Sequence, residues 1–244
     1  ISVHHPEVLT FANIKKDRTK VTGANISIRL TDEFLKAVYS DSKYEQRWPV
    51  DSKEPKIKNK VSPREVWRQI IENAHDNAEP GLLFWDNVIE NSPADCYPVE
   101  GFETISTNPC SELPLSALDS CRLLLLNLFG YVKEPFTSKA YFDYQEFFED
   151  AKIAQRMMDD IIDLEMEAIE RIIKKIESDP ESKDIKAREL DMWHRIYDNC
   201  KNGRRTGLGI TALGDTIAAL GFKYASERSI QETDQIFKTL KFAS

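Results

Sequence analysis

Apolar positions recur along this chain at two periods, and each period marks a kind of element. Across residues 25–30, Ile26, Ile28 and Leu30 alternate with polar neighbours, the two-residue period of a strand. Thr31-Asp32-Glu33 then supplies an N-cap with acids in the first turn, and Phe34, Leu35 and Val38 continue as a helix. Ser62-Pro63-Arg64-Glu65 opens another helix with a cap, a proline at its first position and a capping-box glutamate. Val66, Trp67, Ile70, Ile71 and Ala74 form its apolar stripe. Nearer the start, His5-Pro6-Glu7 precedes the periodic run Val8, Leu9, Phe11 and Ile14, a short helix that gives way to a basic loop at 15–23. Residues 40–60 are polar, with a short strand expected near Trp48-Pro49-Val50. Pro80-Gly81 ends the second helix, and residues 82–85 and 123–128 read as short buried strands, the latter carrying Asn127.

A long helix dominates the second half. Met158, Ile162, Met166, Ile169, Ile173 and Ile176 step by four, four, three, four and three residues, which keeps them on one face. Met157, Ile161, Leu164 and Ile172 are expected to widen that face. Ser178-Asp179-Pro180 ends the helix, and a charged one with Ile185, Leu190, Trp193 and Ile196 follows as far as Gly203. GLGITALG at 207–214 departs from a dinucleotide fingerprint and reads as the close-packed opening of a small-residue helix, 215–220, closed by Gly221. A last helical run covers 229–240. Short buried strands alternating with helices indicate an α/β protein with a mostly parallel sheet, and the charged stretch 150–200 reads as an outer helical layer.

Composition narrows the class. A chain of 244 residues with 41% hydrophobic and 30% charged positions is that of a globular protein, as one large domain or two small ones. The net charge of −8 excludes a general nucleic-acid binder, which needs a basic face. No apolar run approaches the roughly 20 residues that cross a bilayer, and no secretory signal opens the chain. Four cysteines without a CxxC pair point to neither a disulfide scaffold nor a structural zinc, and suit a reducing, cytoplasmic setting. His4, His5, His75 and His194 show no metal-ligand spacing, so no metal site is expected. The chain starts on Ile1-Ser2-Val3, which reads as the end of a strand, and stops directly after a helical run, so both ends look cut.

The densest chemistry lies at Asn108-Pro109-Cys110-Ser111-Glu112. The i, i+2 spacing of Asn108, Cys110 and Glu112 turns an amide, a thiol and a carboxylate to one side of a strand or extended loop, and Pro109 stiffens it. From the residues alone, a small thiol closing a strand is the competing reading. Cys121 lies eleven residues beyond Cys110, after a turn-like segment, where it could approach Cys110 or a thiol elsewhere. Cys96 and Cys200 have no such company. The basic loop, with Lys15, Lys16, Asp17, Arg18, Thr19 and Lys20, is either a solvated charge run or a surface for an anion or a base.

TNPCSELPLSALDSCRLLLLNL resembles the active-site segment of the catalytic subunit of ribonucleotide reductases. VTGANISIRLTDEFLKAV, EPGLLFWDNV and NGRRTGLGITALGDTIAALG resemble family segments in the same order, so the likeness spans nearly the whole chain. The cysteine spacing and the DSCRL wording look most like the adenosylcobalamin-dependent class II. Class I enzymes usually space these cysteines farther apart, and the glycyl-radical class typically lacks the glutamate.

This resemblance implies the central part of a ten-stranded α/β barrel, a partial catalytic domain over 1–244 with an outer helical insertion. It implies reduction of ribonucleotides to 2′-deoxyribonucleotides, with Cys110 as the thiyl radical that takes the 3′ hydrogen. Glu112 would be the base on the 3′ hydroxyl and Asn108 a hydrogen-bonding partner of the sugar. Pro109 and Ser111 would join them in cradling the nucleoside, and Cys121 would be half of the reducing dithiol, its partner thiol lying upstream. Residues 15–20 would be the specificity loop that senses a nucleotide effector, a deoxynucleoside triphosphate or ATP. Implied partners are adenosylcobalamin, a thioredoxin-type reductant and a second copy of the full-length chain, with no membrane and no nucleic acid. With the phosphate-binding segment and shuttle cysteines expected downstream, the piece alone should lack turnover. The alternatives are a class I subunit, which takes its radical from a separate subunit, and a non-catalytic barrel fragment acting as an assembly module.

Overall fold

The alternation at 25–30 produces a strand whose Ile28 and Leu30 are fully buried while Ser27 and Arg29 take the opposite face. The structure, a computed structural model, describes residues 1–17, 19–120 and 122–244, so Arg18 and Cys121 lie outside the described residues. The chain divides into two compact units, Ile1–Ala117 and Leu118–Ser244.

Unit 1 runs α1 (Val8–Ala12), β1 (Ser27–Leu30), α2 (Asp32–Ser40), β2 (Tyr44–Trp48), β3 (Ile57–Val61), α3 (Pro63–Asn77), β4 (Gly81–Phe84), α4 (Trp85–Asn91), β5 (Ser106–Thr107) and β6 (Pro114–Leu115). β1 pairs in parallel with β4, Ser27 opposite Gly81 and Leu30 opposite Phe84. On its other edge Ser2 bridges Arg29 in parallel, so Ile1-Ser2-Val3 is strand-like as expected. Val3, Val8, Ile28, Leu30, Phe34, Val66 and Ile70 meet in one core, which is why α1, α2 and α3 carry apolar stripes. Thr31 caps α2 by accepting from the Phe34 N–H at 3.3 Å. Ser62 caps α3 from Glu65 in the same way, but the Glu65 carboxylate turns to Arg68 and Gln69, so only half the capping box forms.

Two expectations need correction here. The polar stretch 40–60 holds a full antiparallel hairpin, β2 with β3. β3 (IKNKV) is exposed along nearly its whole length and lysine-rich, so it sends no apolar signal. The strand expected at 82–85 ends at Phe84, and Trp85 opens α4.

Unit 2 runs β7 (Leu123–Asn127), β8 (Val132–Lys133), β9 (Tyr141–Phe142), α5 (Tyr144–Ser178), α6 (Lys183–Gly203), β10 (Gly207–Thr211), α7 (Leu213–Ala219) and α8 (Glu227–Ala243). The glycine-rich segment is therefore a strand, not a helix opening, and it pairs in parallel with β7. Gly207 lies opposite Leu123 and Gly209 opposite Leu125. A Cβ on Gly207 would stand 2.5 Å from the Arg122 carbonyl oxygen, and one on Gly209 would stand 2.9 Å from Leu125 Cδ2. Close approach of backbone requires glycine at 207, whereas at 209 only the far end of a side chain stands in the way.

β7 is not buried on both faces. Leu123 and Leu125 are 55% and 56% exposed, and only the alternate Leu124 and Leu126 turn inward. A continuous apolar run does not disclose whether both faces are covered. On α5 the stripe of Met158, Ile162, Ile169 and Ile176 is buried as expected, but Met157, Ile161 and Leu164 stay exposed and do not widen it. Nor is 150–200 purely an outer layer. Within it Ala151 enters the core with Leu128, Tyr131, Phe147, Ala219 and Ile236, whereas Ile162 and Ile169 pack with Cys200 of α6. The fold is α/β with parallel pairs, but among the described residues each sheet has two strands and none closes into a barrel.

Candidate active site

Residues 108–113 connect β5 to β6, which pair in antiparallel fashion. Asn108 closes the hairpin twice: its N–H donates to the Leu113 carbonyl at 3.2 Å, and its Oδ1 accepts from the Leu113 N–H at 2.9 Å. Asn108 is 8% exposed, and with Oδ1 engaged its amide nitrogen is the group left for a ligand. The Ser111 N–H donates to the Asn108 carbonyl at 3.0 Å, a tight turn with Pro109 at its favoured second position.

That turn corrects the expectation of an extended tip. Ser111 takes a left-handed φ of 71°, so strand alternation does not carry from Cys110 to Glu112. A non-glycine residue holds that conformation at a cost of about 1–2 kcal/mol, and the turn is held from outside. Asn25 Nδ2 donates to the Pro109 carbonyl at 3.2 Å, and Ser27 Oγ meets Ser111 Oγ at 3.4 Å. Asn25 and Ser27 are alternate residues on the polar face of β1 and its lead-in. Cys110, a free thiol, and Glu112 are exposed on the turn.

Beside the turn is a cavity of about 380 Å³ whose lining includes Asn25, Ser27, Arg29, Trp85, Asn108 and Pro109. Arg29, the next residue on the polar face of β1, stacks its guanidinium 4.9 Å from the Trp85 ring centroid. The sequence reading missed Asn25, Ser27, Arg29 and Trp85 as site residues. The signal was present: the polar positions between Ile26, Ile28 and Leu30 must share the opposite face.

Cys121 lies outside the described residues, but its neighbours are firmly held. Asp119 pairs with Arg205 at 2.5 Å and Ser120 Oγ donates to Glu165 at 3.4 Å. Arg122 pairs with Glu165 at 2.5 Å and donates to the Arg205 carbonyl and to Cys200 Sγ, both at 3.1 Å. Burial pushes the Cys200 thiol up from its ordinary value.

The basic loop is largely paired with carboxylates. Lys15 forms an ion pair with Glu79, which also accepts from the Ile26 N–H at 3.1 Å, and Lys20 pairs with Asp17 at 3.3 Å. Thr19 donates to Asp17 through both its N–H and its hydroxyl, which holds that carboxyl below the usual range. Lys15 and Lys20 also line a separate groove of about 520 Å³ with His75 and Glu79. Arg18 lies outside the described residues. Among the described residues no group of three His, Cys, Asp or Glu is placed to hold a metal ion, and no helix is long and apolar enough to cross a membrane.

The family model for the ribonucleotide reductase barrel domain matches residues 1–244. A vitamin B12-dependent ribonucleoside-diphosphate reductase of Thermoplasma acidophilum is 28% identical over 238 residues, 97% of this chain and 26% of that protein. A protein of the same name from Mycobacterium tuberculosis (strain CDC 1551 / Oshkosh) is 26% identical over 246 residues, 100% of this chain and 30% of that one. A vitamin B12-dependent ribonucleotide reductase of Streptomyces clavuligerus is 27% identical over 84% of this chain and 18% of its own length. The chain thus spans less than a third of each of these relatives.

Proposed function

Because the chain belongs to the ribonucleotide reductase barrel-domain family, we propose that the turn at 108–112 is the centre where a vitamin B12-dependent enzyme reduces ribonucleotides to 2′-deoxyribonucleotides. The observation that carries this reading is the two-point tie from Asn25 and Ser27 to Pro109 and Ser111, which fixes a turn bearing an exposed thiol. A free surface cysteine needs no such support. A reacting group does, because small misplacements cost large factors in rate.

The roles follow from the groups. Cys110, as the thiyl radical, takes the hydrogen atom from C3′, since sulfur–hydrogen and sugar carbon–hydrogen bonds are close enough in strength for reversible transfer. Glu112 takes the proton of the 3′ hydroxyl as general base, and the 2′ hydroxyl leaves as water. A dithiol that includes Cys121 supplies the proton that leaves with the 2′ hydroxyl and the hydrogen that takes its place on C2′, two electrons in all, and ends as a disulfide. Glu112 returns its proton to the 3′ oxygen, and Cys110 returns the hydrogen atom to C3′. Asn108, with Oδ1 committed to the hairpin, offers its amide N–H to the sugar, while Pro109 and Ser111 shape the cradle.

The cofactor's part is to generate the radical. The cavity beside the turn, about 380 Å³, is sized for a small molecule rather than a corrinoid. No residue of this chain is therefore assigned to hold adenosylcobalamin. The closed ten-stranded barrel, a thioredoxin-type reductant, pairing with a second copy and a cytoplasmic location belong to the same reading of the whole protein. Effector sensing by residues 15–20 has their position before the ANISI strand in its favour, whereas Lys15 and Lys20 already hold carboxylates.

The test uses the full-length protein with adenosylcobalamin, a dithiol and a ribonucleotide, and no second subunit. Deoxyribonucleotide formation supports the proposal. Formation only when a radical-generating subunit is added would move the protein to class I, and no reduction in either case would leave a barrel module without catalysis.

A further inference from the structure

Arg29 stands apart from the other described arginines of unit 1. Arg47, Arg64 and Arg68 each hold a carboxylate: Glu33, Asp41, and the pair Glu65 and Glu72. Among the described residues no ion pair or hydrogen bond engages the Arg29 guanidinium; its partner is the Trp85 ring. The side chain is half-buried and lines the cavity that ends on Asn108 and Pro109. A guanidinium stays charged at every relevant pH, and withdrawing it from water without an anion is unfavourable. Stacking on Trp85 fixes its plane and leaves its N–H edge free.

Its position fits one kind of anion. Asn25, Ser27 and Arg29 occupy successive positions on one face of β1, and the first two hold the turn. Arg29 is one step of that face, about 7 Å, beyond Ser27. The cavity that Arg29 lines is also lined by Asn108 and Pro109, so an anion held there lies beside the turn that carries Cys110. We propose that Arg29, oriented by Trp85, binds a phosphate group of the substrate nucleotide in this cavity. A planar fork suits two phosphate oxygens at once. This rests on the reductase reading of the same turn and adds a phosphate contact made by β1 itself.

The experiment measures equilibrium binding to full-length protein carrying Cys110→Ser, with cytidine diphosphate, cytidine and inorganic pyrophosphate as probes. Arg29→Gln should weaken the diphosphate about tenfold or more and change cytidine less than about twofold, while Arg29→Lys recovers part of the loss. Trp85→Leu, which frees the guanidinium, should weaken the diphosphate less than Arg29→Gln does. If Arg29→Gln leaves the diphosphate unchanged, or weakens diphosphate and nucleoside equally, the proposal is overturned and the reductase reading stands. Pyrophosphate binding as tight as the diphosphate, and lost with Arg29, would make this a free-oxyanion site and also overturn it. A parent protein that binds no ribonucleotide at all would overturn both readings.

Discussion

The Asn25 side-chain amide donates to the Pro109 carbonyl at 3.2 Å across 84 residues of sequence. With Ser27 against Ser111, it makes β1 the support of the turn that carries Cys110. Such hydrogen bonds contribute about 0.5–1.5 kcal/mol each, so Asn25→Ala should cost the full-length enzyme about threefold to tenfold in kcat. Stability in urea should fall by no more than about 1.5 kcal/mol. Ser27→Ala should behave alike, and the double variant should lose less than the sum, because both residues hold one turn. Fully additive losses would mean that the two contacts act separately.

Cys110 is exposed, so replacing it disturbs little packing. Cys110→Ser should abolish ribonucleotide reduction while changing stability by less than about 0.5 kcal/mol and nucleotide affinity by less than about twofold. Cys121→Ser should permit at most a single turnover before the reductant fails, counted as deoxynucleotide formed per enzyme in a rapid-quench assay. Sustained cycling of Cys121→Ser with a dithiol would remove it from the electron path.

Legibility in the sequence followed the apolar signal. Ile28 and Leu30, the Thr31 and Ser62 caps and the buried row from Met158 to Ile176 were readable because burial imposes a period on apolar residues. β3 was not, because a lysine-rich exposed strand buries nothing. Nor was β10, because its glycines answer to Arg122 and Leu125 on another strand, and such a partner is invisible to a local window. At the site, residues 108–112 stood out by chemistry, but the left-handed Ser111 and the supports Asn25 and Ser27 depend on contacts between distant segments.

The two β10 glycines should differ on substitution. A Cβ on Gly207 meets the Arg122 carbonyl oxygen at 2.5 Å, and backbone cannot step aside. Gly207→Ala should therefore cost about 1–3 kcal/mol by overpacking, read from the urea midpoint of the chain. A Cβ on Gly209 meets only Leu125 Cδ2, at 2.9 Å, the far end of an exposed side chain. The small gain from stiffening the unfolded chain, about 0.4–1 kcal/mol, should leave Gly209→Ala close to neutral. Equal losses at both positions would show that the register of β10 on β7 differs from the one described.

His4 should set a pH dependence of unit 1. The ring is buried, with the Tyr44 hydroxyl 2.7 Å from Nδ1 and Thr31 Oγ1 2.9 Å from Nε2. A neutral imidazole satisfies both contacts, donating from Nε2 to Thr31 and accepting at Nδ1 from Tyr44. Burial, reinforced by the Arg47 charge, holds its pKa below the ordinary 6.5, and Glu33 offsets only part of this. The unfolded chain therefore takes up this proton first as pH falls. The His4 contribution to stability is full above about pH 6.5, declines below it by at most about 1.4 kcal/mol per pH unit, and levels off beneath the folded-state pKa. Glu33, held below its ordinary 4.5 chiefly by Arg47, adds a separate loss only below that value. Urea midpoints measured between about pH 5 and 8 should thus slope for the native chain. His4→Gln should lower stability at the upper end by about 1–3 kcal/mol, the cost of buried hydrogen-bond partners left unsatisfied. It should also remove the part of the slope that begins near pH 6.5, leaving the part set by the buried Ile1 amino group, which burial holds below its ordinary 8.0. A slope below about pH 6.5 as steep in His4→Gln as in the native chain would assign that proton to a different group.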